Sequence, residues 1–250
     1  MSANAPGGFA AAVALHEQLL RRREVGATAA RLHPGRLDPP RRWTPDLSPL
    51  TPYRAVEPAS LGLGEYDDFH DIPDPLLDAA IGQVVDAEGP VHFEVLADRL
   101  LDAAGVGRLG SRIRVRIEER LETLGARHAT GTAEERGNVP LLRWQAGFVA
   151  RPGQSLKPPY RDWRGAPDKT HQLDYVSDEE LMLALFRAVL DHDCQDRETA
   201  MNTGIHAIGF IRLTENVRAR LEAPLALLLA AGMLVEQAGE LRVAAVEPLA

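Results

Sequence analysis

The segment from Gly105 to Leu121, G-V-G-R-L-G-S-R-I-R-V-R-I-E-E-R-L, returns in altered form from Gly209 to Leu225 as G-F-I-R-L-T-E-N-V-R-A-R-L-E-A-P-L. The spacing (209 − 105 = 104) also aligns, without a gap, Leu77, Ala80, Ile81, Val84 and Val85 with Leu181, Ala184, Leu185, Ala188 and Val189. A whole small domain is therefore duplicated, and each copy reports independently on which positions the fold requires. Gly105/Gly209, Arg108/Arg212, Leu109/Leu213, Arg114/Arg218, Arg116/Arg220 and Glu118/Glu222 are kept in both.

Apolar spacing and capping residues predict the same elements in each copy. In copy one, Asp74 as N-cap and Pro75 in the first turn open a helix over residues 75–87. A second helix spans residues 93–104 with Phe93, Leu96, Ala97 and Leu100 inward, and a glycine-rich turn fills 105–110. Ser111 then caps a third helix to about Leu124, whose buried stripe is Ile113, Ile117, Leu121 and Leu124. Strands are expected over 126–130 and 139–144, around a polar turn at 131–138. In copy two Ser177 caps a helix over 178–191, followed by helices over 197–208 and 215–231 and a hairpin, 233–237 with 240–246, turning at Ala238-Gly239.

Three helices followed by a hairpin is the order of a winged helix. The fold class is accordingly read as mainly α with small β-hairpins (α+β): tandem winged-helix domains with an extended, proline-rich N-terminal arm. The boundaries are 1–64 for an N-terminal helix (Phe9 to Leu32) and arm, where prolines recur from Pro34 to Pro58. Copy one takes 65–150, a basic, proline-rich, semi-extended linker takes 151–174, and copy two takes 175–250.

Composition narrows function chiefly by exclusion. Cys194 is the single cysteine, which rules out an intrachain disulfide, and no apolar stretch approaches a membrane span, so a cytoplasmic, membrane-free protein is expected. No G-x-x-x-x-G-K-[ST] loop precedes Lys157 or Lys169, and Gly105, Gly107 and Gly110 match G-x-G-x-x-G only in letters, since they follow a helix rather than a strand. The acidic stretch around His70, and the group His192, Asp193, Cys194 and Asp196, lack the spacing of a metal site. No catalytic residue, cofactor or metal is expected, and the chain reads as a non-enzyme.

The net charge of −8 opposes bulk attraction to nucleic acid, so any such role needs a local patch. The third helix of copy one offers one. Arg112, Arg116 and Arg120 recur every four residues beside the apolar stripe, and Arg108 lies in the preceding turn. These four are the expected nucleic-acid-binding residues; the alternative is that they pair with Glu118, Glu119 and Glu122 or with the acidic segment ahead of the domain. In copy two Asn216 replaces Arg112, and Pro224, replacing Arg120, is expected to break or kink the helix. That copy also opens with Asp178, Glu179 and Glu180, and is expected to face protein rather than DNA.

The strings Glu88 to His92, Leu96 to Leu100, Gly105 to Ile113 and Ser177 to Leu181 resemble an uncharacterised C-terminal domain appended to large bacterial superfamily 1 helicase-like proteins that also carry a Vsr-like nuclease domain. The resemblance covers roughly residues 65–250 and implies an accessory, nucleic-acid-associated module without assigned catalytic residues. Two functions are therefore carried forward. One is a DNA-binding accessory module working with a helicase or nuclease protein; the other is an acidic tandem winged-helix adaptor, such as a subunit of a chromosome-organising complex.

Overall fold

The computed structural model describes residues 45, 47–130, 142–145, 147–151, 154, 157–192 and 195–244, with backbone alone for 126–130 and 143–145. The expected N-terminal helix, most of the 34–46 stretch, residues 131–141 and Cys194 lie outside the described residues. The described chain is mainly helical with three small sheets, an α+β fold.

Copy one begins with a single 3-10 turn at Phe69–Asp71 and continues into α1, Asp74–Glu88. Leu77, Ala80, Ile81, Val84 and Val85 are fully buried along α1, the helical spacing that the sequence displays. Strand β2, Val91–His92, leads into α2, Phe93–Ala103, and His92 Nδ1 accepts from the Glu94 backbone N–H as the N-cap. Gly105, at φ 68°, turns the chain into α3, Ser111–Thr130. The 3-10 turn, α1, β2 and α2 reappear at a spacing of 104 as Leu173–Tyr175, α4 (Asp178–His192), β6 (Gln195–Asp196) and α5 (Arg197–Ala207). Helix α6, Glu215–Ala230, starts 104 residues after α3.

The hairpins break that spacing. In copy one β3, Arg143–Gln145, pairs with β4, Phe148–Ala150, and β4 pairs with β2 so that Val149 faces Val91. In copy two β7, Leu234–Gln237, pairs with β8, Glu240–Val243, and Leu241 faces Gln195. The equivalent hairpin positions are 241 − 149 = 92 residues apart, so copy one carries 104 − 92 = 12 additional residues between the start of its third helix and its hairpin, part of them lengthening the helix itself. This corrects the expected strand at 126–130, which is helical because α3 runs on to Thr130. A helix propagates at low cost once nucleated, and α3 extends through this segment. The second hairpin turns as expected at Ala238 and Gly239, both at positive φ.

Pro224 does not end its helix. Helix α6 passes through it to Ala230, and Leu221, Ala223, Leu225, Leu227 and Leu228 are buried around it. Burial at roughly 1.5–3 kcal/mol for each large apolar side chain outweighs the ~3 kcal/mol that an interior proline costs. Leu225, directly after the proline, is a fully buried core residue.

Each copy has its own apolar core, and chain segments outside the repeats close the gap between them. Strand β1, Thr51–Pro52, pairs in parallel with β5, Arg161–Asp162, so the arm and the segment expected to be a semi-extended linker are joined and packed rather than free. Trp163, immediately after β5, is buried in the core of copy two, and its backbone N–H donates to Ile208 O. Leu61 and Leu63 enter the core of copy one.

Candidate nucleic-acid interface

The solvent side of α3 borders a broad open groove of about 760 Å³, lined by His70, Asp74, Ser111, Arg112, Val115, Arg116, Glu119, Arg120 and Thr123. Three of the four predicted arginines are on it, and their states differ. Arg116 donates to the backbone carbonyls of Phe69, at 2.6 Å, and Ile72, and its guanidinium is 3.3 Å from the Asp74 carboxylate. Arg120 makes a two-pronged contact with Asp78, at 2.8 and 2.7 Å, and a third bond to Asp74 at 2.7 Å. The hydrogen bond to Asp78 holds the Arg120 guanidinium more firmly protonated than usual. Asp74, expected as an N-cap, has no capping bond and serves as the acceptor for both arginines.

Arg108 and Arg112 are exposed and form no hydrogen bond or ion pair among the described residues. Val115, one turn beyond Arg112, is 51 % exposed, so the groove presents one apolar side chain beside an open cation.

Comparing the copies separates structural arginines from open ones. Arg114 bonds Glu94 at 2.6 Å, and its counterpart Arg218 meets Glu198, the counterpart of Glu94, at 3.0 Å. Arg220, the counterpart of Arg116, bonds Asp178 at 2.5 Å and the Val176 carbonyl at 2.7 Å, positions that match Asp74 and Ile72. Both pairs tie the third helix back to the start of the first or second, which is why duplication has preserved them. Arg120 and Asp78 are instead replaced together, by Pro224 and the buried Met182. Removing both partners of an ion pair leaves no charge stranded.

The acidic opening of copy two also proves internal. Asp178, Glu179 and Glu180 are all buried, and Glu180 accepts from Arg161 at 3.1 and 2.6 Å and from Trp163 Nε1 at 3.0 Å. A second buried carboxylate, Glu88, accepts from Arg99 at 2.9 and 3.0 Å, from the Tyr53 hydroxyl at 2.5 Å and from the Val56 backbone N–H at 2.9 Å. Arg99 also donates to Thr170, and Arg161 donates to the Glu88 backbone carbonyl at 2.6 Å. Arm, linker and both copies thus meet in one buried polar seam. Sequence patterning did not reveal it, because these residues have no common spacing; the available signal was that Glu88, Arg99 and Glu180 face His192, Thr203 and Leu76 in the alignment of the copies.

No group of three or more His, Cys, Asp or Glu side chains suited to a metal is found among the described residues. No helix among them is long and apolar enough to cross a membrane.

A family model described as a protein of unknown function (DUF3320) matches residues 67–115, from the acidic stretch through α1 and α2 into the second turn of α3. The matched stretch includes Arg108 and Arg112 and ends before Arg116. No curated protein and no solved structure matches the chain.

Proposed function

We propose that the chain is a non-enzymatic, DNA-binding accessory module built from two winged-helix units, working with a helicase- or nuclease-type protein. The observation that carries this reading is the contrast along α3: Arg116 and Arg120 are occupied by backbone carbonyls and carboxylates, whereas Arg108 and Arg112 at its leading end are open to solvent. Open guanidinium groups at the start of a third helix are placed to meet phosphate oxygens, and Arg116 and Arg120 hold that helix against α1. Association with a helicase or nuclease rests on the resemblance of the copy-one strings. The chain's net charge of −8 opposes bulk attraction, so such binding rests on local contacts, each adding about 0.9 to the salt slope.

The test is a titration of the chain with a short mixed-sequence DNA duplex, followed by fluorescence anisotropy over about 50 to 200 mM salt. Replacing Arg108 and Arg112 with alanine should flatten the slope of log K against log salt by about 0.9 for each lost phosphate contact. Loss of binding should be similar on unrelated sequences. An unchanged slope in the folded double variant removes both arginines from the interface. Exposure of Val115 within the groove favours a second reading, a protein adaptor, and absence of duplex binding at low salt would move the assignment there.

A further inference from the structure

Of the six kept pairs named above from the repeated segment, five have structural work to do. Gly105 and Gly209 adopt positive φ; Leu109 and Leu213 pack against their respective cores. Arg114/Arg218 and Arg116/Arg220 form the equivalent ion pairs described above, and Glu118 and Glu222 face Arg114 and Arg197 at 3.9 and 3.7 Å. Arg108/Arg212 is the exception. Both are exposed, and neither has a hydrogen-bond or ion-pair partner among the described residues.

The turn that carries each arginine is built the same way twice. Val106 N donates to Leu101 O at 2.9 Å, and Phe210 N donates to Ile205 O at 2.9 Å, the equivalent bond. Arg212 borders a cleft of about 470 Å³ with Glu198, Thr199, Asn202 and Leu213, and the Glu198 carboxylate there is already paired with Arg218. Ile211, beside Arg212, is 79 % exposed, so the turn projects into solvent.

Resting on the DNA-binding reading above, we propose that Arg212 is a second phosphate contact, the counterpart of Arg108, and that the chain meets one DNA backbone through both copies. The fold does not require an arginine at either position, so its retention in both turns is assigned to a ligand that both turns touch. Fully solvated guanidinium groups suit phosphate oxygens, which they engage without a buried pocket. The buried seam joins the two copies, so both turns belong to one body. This extends DNA contact to copy two, despite its loss of the Arg112 and Arg120 equivalents.

The experiment uses the full chain, the same duplex and the same salt series, with R108A, R212A, the double variant, and R54A as a control for an exposed arginine outside the turns. Each turn variant is expected to lower the salt slope by about 0.9 and the double variant by about twice that, with R54A unchanged. Unaltered melting temperatures establish that the variants fold. A normal slope for R212A alongside a reduced slope for R108A overturns this proposal and leaves the DNA-binding reading standing. No duplex binding by the unmodified chain defeats both; equal loss in R54A shows bulk charge rather than placed contacts and also overturns it.

Discussion

Removing the Glu88 carboxylate should be among the most damaging single changes available in this protein. The side chain has no solvent exposure and accepts bonds from Arg99, Tyr53 and the Val56 backbone N–H, while Arg99 is itself 4 % exposed. In Glu88→Ala the guanidinium of Arg99 keeps only its bond to Thr170, and a buried cation is left without a counter-charge. Breaking a buried pair from one side costs about 3–5 kcal/mol. Set against a total of roughly 5–15 kcal/mol for a folded domain, that is enough to leave a marginal chain partly unfolded at room temperature.

Urea unfolding at neutral pH, followed by far-ultraviolet circular dichroism, measures the loss. Paired replacement, Glu88→Met with Arg99→Met, should cost less than the sum of the single changes, because it strands no charge. A second signature is expected in the cooperativity. The seam joins arm, linker and both copies, so weakening it should separate the unfolding of the two cores and broaden the transition. Glu88→Ala within about 1 kcal/mol of the unmodified protein, with an unchanged transition width, would refute the view that this carboxylate organises the seam.

The two turn glycines should respond unequally to the same substitution. At Gly105 a Cβ meets nothing within 4 Å, so Gly105→Ala should cost only the ~1 kcal/mol of left-handed backbone, whereas at Gly209 it would lie 2.8 Å from Arg164 N and 2.9 Å from Arg164 Cγ and should cost several-fold more. Equal melting shifts for the two variants would contradict that difference. Burial, followed by the adjacent Glu88 charge, pushes the Tyr53 hydroxyl well above its ordinary range. The unfolded chain then releases this proton first as pH rises, so Tyr53's contribution is fully present below about pH 10 and is lost above it. Stability measured from neutral pH to beyond that point should fall more steeply for the unmodified protein than for Tyr53→Phe, and parallel curves would sink the linkage.

How far the sequence could be read depended on whether a residue's partner was close in the chain. The helices of both copies were legible because Leu77, Ile81 and Val84, or Leu181, Leu185 and Val189, carry their spacing locally. The first hairpin was misplaced because the 12-residue excess in copy one presents a polar, turn-like string ahead of the real strands, and strand identity depends on pairing with β2. Pro224 misled for a related reason: local propensity predicts a break, and the burial that overrides it comes from distant elements. The linker's charges gave no hint that Arg161 would be buried against Glu180, nineteen residues away, and against Glu88 O.

The candidate site was legible as a row and not as a set of states. Periodicity places Arg112, Arg116 and Arg120 on one side of α3, but their availability depends on Asp74 and Asp78, over forty residues earlier. The duplication recovers part of what periodicity cannot supply. An arginine kept together with its acid, as Arg116 with Asp74 and Arg220 with Asp178, is explained by the fold; one lost together with its acid, as Arg120 with Asp78, belonged to a pair the fold can replace. Among the described residues, many of the arginines are therefore paired within the fold. Among the described residues, contact with an anionic partner falls to arginines that this internal pairing leaves over, and on that ground Arg108, Arg112 and Arg212 outrank Arg116 and Arg120.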